Sequence, residues 1–335
     1  MSKSIQNEIL PENLTEHRAV RAWAALKPAR VEPNGIEILK LKNKSAVYRL
    51  TGVGEDGAAV IAKRCLATTA TIERMIYEEL LPRLPLATLR YYGHVNEPDG
   101  KFVWLFIENA DGLAYSPRDA EHRALAARWL AALQTTALTT DLGARLPLRD
   151  ADFYLNRLHE TRGLLSVHTV NPELRADELA SLEKLVTQLD ALEARWPELH
   201  AACDGLTPTV VHGDLVTKNV SVRANPDGLE LLVFDWEYAG WGVPATDLSQ
   251  FVGRTLSPDL EVFCAATHGP LHGGADQNIR RLAECGKFFR LIDDIHWASS
   301  LLTFESHLFL EKPASYLKSY QPRLAAELHP ACATS

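Results

Sequence analysis

The stretch that most narrows what this chain can fold into is Val210-Val211-His212-Gly213-Asp214-Leu215-Val216-Thr217-Lys218-Asn219-Val220-Ser221-Val222. β-Branched residues flank a polar segment on both sides, so its polar groups fall between two short buried strands. A second apolar run, Leu231-Leu232-Val233-Phe234, ends on Asp235-Trp236-Glu237, and Ala224-Asn225-Pro226-Asp227-Gly228 before it reads as a turn. Two strand-end carboxylates, Asp214 and Asp235, and the amide of Asn219 are therefore expected to converge. Phosphoryl transfer needs such a set: a carboxylate to orient a hydroxyl, and oxygen ligands to hold magnesium on the phosphates.

Around this centre the chain divides into two kinds of sequence. The early part is strand-rich: Ile36 to Leu41, Ala46 to Leu50 and Ala58 to Lys63 are three successive strands with short connections, an antiparallel meander. Thr71 to Pro82 is a helix with Ile72, Met75, Ile76 and Leu80 on its apolar face, and Glu73 in its first turn. Lys101 to Glu108 is a long apolar strand that runs into Asn109-Ala110-Asp111-Gly112. A short helix from Thr15, as cap, to Leu26 precedes all of these. The later part is helical. Ser116-Pro117-Arg118-Asp119 reads as cap, first helical position and acid of a helix running to about Gln134. Another helix lies near Phe153 to Leu165, a third carries its buried stripe from Leu182 through Trp196 to Leu199, and the last fall between about Asn278 and Leu310. Gly52-Val53-Gly54-Glu55-Asp56-Gly57 matches the spacing of a nucleotide loop, but no helix follows it and it joins the second and third strands. It reads as a hairpin turn.

Composition closes off other classes. A formal charge of −8 disfavours a nucleic-acid partner, whose phosphates need a basic face. No apolar stretch is long enough for a membrane span, and the first residues, Met1 to Glu8, lack an apolar signal core, so the expected location is the cytoplasm. Five cysteines without a close pair make neither a disulfide framework nor a zinc site.

His212, Asp214, Leu215 and Asn219 fit the His-x-Asp-Leu-x-x-x-Asn catalytic loop of protein kinases, with Gly213 in place of the Arg. Followed by Phe234-Asp235-Trp236-Glu237, the pattern resembles the aminoglycoside phosphotransferase and choline-kinase-like superfamily, small-molecule kinases of the protein-kinase-like fold. The resemblance implies a bilobal α+β fold: an N-lobe of antiparallel sheet plus helix over residues 1–110, and a mainly helical C-lobe over 111–335. It implies Asp214 as catalytic base and Asn219 and Asp235 as ligands of Mg2+. Lys63 would contact the α- and β-phosphates of ATP or GTP and pair with Glu73, with Glu78 and Glu79 as rivals facing solvent. Backbone groups of the Glu108-Asn109-Ala110 stretch would read the adenine edge. The turn Lys42-Asn43-Lys44-Ser45 takes the phosphate-facing position, with the Ser45 hydroxyl and neighbouring amides as donors. Asp247 would brace the catalytic-loop backbone. Glu237, Asp293 and Asp294 would make the acceptor pocket acidic, suited to an aminoglycoside-like antibiotic or an amino alcohol; the alternative for the last helices is a solvated acidic face beside buried aromatics.

The activity so implied is phosphorylation of a hydroxyl on a small molecule. A protein kinase is disfavoured by Gly213 and by the missing activation segment after Asp235. A non-catalytic nucleotide-binding pseudokinase is opposed by the joint presence of Lys63, Asp214, Asn219 and Asp235. A metallohydrolase cluster lacks further histidines at ligand spacing.

Overall fold

The computed structural model describes residues 13–26, 32–226, 228–267 and 276–329. The first eight residues and Asp227 of the expected turn lie outside them. The chain separates into two compact units, one of residues 1–115 with 218–239, the other of 116–217 with 240–335. The first boundary falls a few residues beyond the expected one, and residues 218–239 group with the first unit rather than the second.

The first unit begins with α1 (Arg18–Leu26) and the strands β1 (Gly35–Lys42), β2 (Ser45–Thr51) and β3 (Val60–Leu66). With β4 (Tyr91–Asn96) and β5 (Phe102–Glu108) these form one antiparallel sheet of order β1-β2-β3-β5-β4. The alternation of β3 places Val60 and Ala62 in the core, where Trp23 of α1 packs on Tyr92 and Phe106 with ring centroids 5.6 and 5.1 Å apart. α1 starts at Arg18 rather than at Thr15, because His17 Nδ1 accepts the first-turn amide of Ala19. The Gly52–Gly57 stretch is a connection between β2 and β3 with a single turn at Glu55–Gly57, as its context required.

α2 (Ala67–Met75) follows β3 without a loop and continues through one wide turn at Ile76–Leu80 and a tight turn at Leu81–Arg83 that includes Pro82. Its start is Ala67, not Thr71, since the Ala67 amide is met by the Lys101 carbonyl at 3.0 Å. Glu73 thus leaves the first turn and sits a turn deeper, where it is fully buried.

β6 (Leu113–Ala114) is followed in the second unit by α3 (Ala120–Ala137), β7 (Leu148–Arg149), α4 (Ala151–His168), α5 (Ala176–Ala194), α6 (Trp196–Cys203) and β8 (Thr209–Val211). The chain then forms the hairpin β9 (Val220–Asn225) and β10 (Gly228–Val233) of the first unit, where β6 pairs with β9. Gly112, at φ 150°, is required there, because a Cβ would lie 2.4 Å from the Val222 carbonyl oxygen. β11 (Gly240–Gly242) returns to pair with β7 and β8, and α7 (Ala245–Leu248), α8 (Leu260–Ala266), α9 (Asp276–Ser299) and α10 (His307–Leu328) complete the helical unit.

Three helix readings are corrected. Asp119, not Ser116, caps α3, its carboxylate accepting from the amides of Glu121 and His122. The stripe from Leu182 to Leu199 belongs to two helices, α5 and α6, broken at Arg195 with Pro197 in the first turn of the second. The last helical region is likewise two helices, since α9 ends at Ser299 and α10 starts at His307.

One close crossing in this unit bears on the site. A Cβ at Gly286 of α9 would lie 1.8 Å from the carbonyl oxygen of Ala245 in α7, and both helices carry site residues. Gly286→Ala is expected to cost about 1–3 kcal/mol through forced separation of the two helices. A urea melt with an unshifted midpoint would show that the crossing tolerates the methyl group.

Candidate active site

Lys63 lies on the middle strand of the sheet, in register with Val47 of β2 and Leu105 of β5. Its ammonium is buried and sits 2.5 Å from Glu73 Oε1, 2.5 Å from Asp235 Oδ1 and 3.8 Å from Glu237 Oε2. Burial alone would lower the lysine pKa, but the carboxylates of Glu73, Asp235 and Glu237 lift it well above the ordinary value, so the group is an ammonium at any working pH. Burial pushes the Glu73 carboxyl up to about 7 against the pull of Lys63. Carboxylate oxygens of Glu73, Asp235 and Glu237 lie within 4.8 Å of one another, and Glu73 Oε2 has no hydrogen-bond partner among the described residues.

The hairpin delivers Asp235 to this place. β9 and β10 pair from Gly228↔Asn225 to Val233↔Val220, and the Phe234 amide donates to the Asn219 carbonyl at 3.1 Å. Asn219 and Asp235 therefore stand at the same end of the ladder. Asp235 itself adopts the left-handed conformation, φ 68° and ψ 60°, which turns the chain into the tight turn Trp236–Tyr238. Trp236 is buried in that turn, and α2 packs against it.

The remaining expected nucleotide contacts lie elsewhere in this unit. Ser45 opens β2 opposite Lys42, at the tip of the first hairpin. Glu108 ends β5, where its carboxylate accepts from the Arg90 amide at 3.0 Å and pairs with Arg223 at 2.7 Å. Ala110 follows Asn109, whose side chain accepts from Arg49 Nε at 3.1 Å. Glu78, one of the rivals to Glu73, is exposed and paired with Arg74 at 3.2 Å.

Asp214 belongs to the second unit. The loop before it is held through its backbone: Asp247 Oδ2 accepts from the His212 amide at 2.7 Å and Oδ1 from the Gly213 amide at 3.3 Å. This is the brace the sequence predicts for Asp247. Gly213 has φ 77°, a conformation that only glycine takes cheaply, and the Asp214 amide donates to His212 Nδ1 at 3.3 Å. Asp214 Oδ1 lies 3.0 Å from Arg290 Nη1, and Arg290 Nη2 lies 2.6 Å from Asp294 Oδ1.

Sequence reasoning missed Arg290 and the cations that partner the acids around it. Asp293 pairs with Arg157 at 3.0 Å, Asp294 with Arg290, and Glu284 with Lys287 at 2.8 Å, so these acids of α9 are matched by cations. Glu237 stands beside Lys63 in the other unit. Glu237, Asp293 and Asp294 are thus all members of ion pairs. His296, with Nδ1 3.1 Å from Thr161 Oγ1, has a structural partner.

A family model described as the phosphotransferase enzyme family (APH) matches residues 40–285, and the chain belongs to that family. Among curated proteins no relative matches. Solved structures resemble it over most of their length. Wild-type aminoglycoside 2'-phosphotransferase-IIIa in complex with GDP is 14% identical, covers 90% of this chain and 97% of its own, and superposes with a TM-score of 0.59. Ethanolamine kinase of Plasmodium vivax is 16% identical over 88% of this chain and 82% of its own, with a TM-score of 0.57. The streptomycin–ATP complex of APH(2″)-IIa is 15% identical over 94% and 98%, with a TM-score of 0.55. These likenesses establish the bilobal protein-kinase-like α+β fold.

The brace titrates. Burial raises the Asp247 carboxyl to about 6 despite the His212 and Gly213 amides that favour its charge. A carboxyl whose folded pKa is raised binds its proton more readily when folded. It therefore contributes stability that is full below the unfolded value near 3.8 and declines as pH rises through about 6. Wild type is expected to lose roughly 3 kcal/mol relative to Asp247→Asn across that window. Parallel denaturation curves at pH 4 and pH 7 with an unchanged gap between the two proteins would remove this titration.

Proposed function

We propose that the protein is a small-molecule kinase that moves the γ-phosphoryl group of ATP or GTP onto an alcohol hydroxyl. The observation that carries this reading is the buried Lys63 ammonium between Glu73 and Asp235, in a chain of the phosphotransferase enzyme family. A lysine steadied by one carboxylate and close to a second suits a nucleotide phosphate better than it suits a structural core, where one partner is enough.

In this reading Lys63 turns from Asp235 to the α- and β-phosphates while Glu73 keeps hold of it. The carboxylates of Glu73, Asp235 and Glu237 that gather there are the oxygen donors that suit Mg2+, and Asp235 with Asn219 would hold the ion. Bound magnesium supplies charge neutralisation on the phosphates. Ser45 and the amides of its turn cover the phosphates, and the backbone of Glu108 to Ala110 meets the base. Asp214 accepts or orients the acceptor hydroxyl, acting more by position than by basicity. The reading is of a cytoplasmic enzyme, in the compartment that supplies its donor. Among the described residues no helix is long and apolar enough to cross a membrane.

The relatives act on or bind quite different acceptors, so the acceptor is sought by assay. Labelled γ-phosphate from ATP and from GTP should pass to at least one member of a panel of aminoglycosides, macrolides, amino alcohols and sugars. Asp214→Ala should cut that transfer about 10²–10⁴-fold with nucleotide binding largely intact. In Asp235→Ala, magnesium-dependent nucleotide binding should fail. A magnesium titration identical to wild type would take Asp235 out of the metal site, and full turnover in Asp214→Ala would end its role as base.

A further inference from the structure

We propose that Arg290 is the positioning residue of Asp214, fixing the direction in which its carboxylate meets the acceptor hydroxyl. The inference rests on the reading of Asp214 given above and names what holds that residue. Arg290 Nη1 lies 3.0 Å from Asp214 Oδ1 and donates to the Gly213 carbonyl at 3.3 Å, so one nitrogen spans the side chain and the loop backbone. Nη2 is anchored on Asp294 Oδ1 at 2.6 Å, one helical turn further along α9. The guanidinium is planar and rigid, so anchoring one nitrogen fixes the direction of the other.

Asp247 grips the loop through the amides of His212 and Gly213, and Arg290 grips it through the Gly213 carbonyl. The peptide units at Gly213 are thus restrained on both their donor and acceptor sides, and the Asp214 carboxylate is restrained directly. A carboxylate that acts mainly by orientation gains most from such a hold, since misplacement by about 1 Å costs on the order of 100-fold. Arg290 touches neither nucleotide nor acceptor in this scheme; it acts through Asp214.

Arg290→Met, Arg290→Lys and Asp294→Asn in the full chain test the role. With MgATP and the acceptor that takes phosphate in the panel above, Arg290→Met should lower kcat about 10–100-fold while KM for ATP stays within about twofold. Arg290→Lys, which restores the charge without the fork, should recover part of the loss, and Asp294→Asn should lose less than Arg290→Met. A kcat for Arg290→Met within twofold of wild type, or a rise in KM for ATP equal to the fall in kcat, overturns the proposal. Removing Arg290 leaves Asp294 without its partner, so Arg290→Met with Asp294→Leu keeps the test open if the single variant is unstable. A crystal structure of either variant decides without any acceptor: the Asp214 carboxylate should leave its wild-type direction, and an unchanged direction refutes the role. If Asp214→Asn turns over normally, the role of Asp214 itself fails and that of Arg290 falls with it. An inactive Asp214→Asn beside a fully active Arg290→Met removes Arg290 alone.

Discussion

One ammonium group carries three carboxylates in the first unit, and much of that unit exists to bring them together. Taking charged groups out of water costs several kcal/mol per ion even after relaxation, so a cluster of this kind is weak as a stability device. Its geometry explains the architecture. β3 is flanked by β2 and β5, which buries Lys63, and α2 leaves the end of β3 directly, which brings Glu73 back onto a lysine ten residues earlier. Asp235 comes from 172 residues away, on a hairpin that groups with the sheet rather than with the helices on either side of it in sequence. Without a function for the excess negative charge, an apolar residue at 63 would serve the core better.

The second unit solves a different problem, that of holding a short loop still. Its means are two charged side chains from helices that cross closely. Asp247 comes from α7 and Arg290 from α9, and Gly286, one turn before Arg290, lets those helices touch backbone to backbone. The loop they hold is buried from Val211 to Val216, where water does not reach its backbone groups. A charged acceptor and a charged donor take up its backbone groups instead, which satisfies the polar groups and sets the direction of the Asp214 side chain.

What could be read in the sequence follows from how local each signal is. The meander and the hairpin depend on short spacings and strand periods, which are visible in a single chain, whereas the pair formed by Lys63 and Glu73 was implied by the family resemblance. Helix starts were misread where two polar residues competed: Asp119 took the α3 cap from Ser116, and the Lys101 carbonyl moved the start of α2 to Ala67. The break at Arg195 was hidden because the apolar stripe passes through it in phase. Arg290 had no local signature at all. An arginine on an amphipathic helix looks solvated until the contact with a loop 77 residues earlier is known. The partner of Asp293 was hidden for the same reason, since Arg157 lies 136 residues before it.

Two residues at the ends of the defining motif share a backbone property that sequence pattern alone does not disclose. Gly213 and Asp235 both lie in the left-handed region, at φ 77° and 68°. Glycine takes that conformation freely, whereas an aspartate there costs roughly 1–2 kcal/mol. The strain at Asp235 must be offset by what the conformation gains, and the gain on view is the contact with Lys63 together with burial of Trp236 in the turn that follows. At position 213 the same geometry with a side chain would carry its own cost, so the glycine is a requirement of the loop as well as a departure from the protein-kinase motif. The two positions differ in residue type because Asp235 uses its side chain, whereas Gly213 contributes its amide to Asp247 and its carbonyl to Arg290.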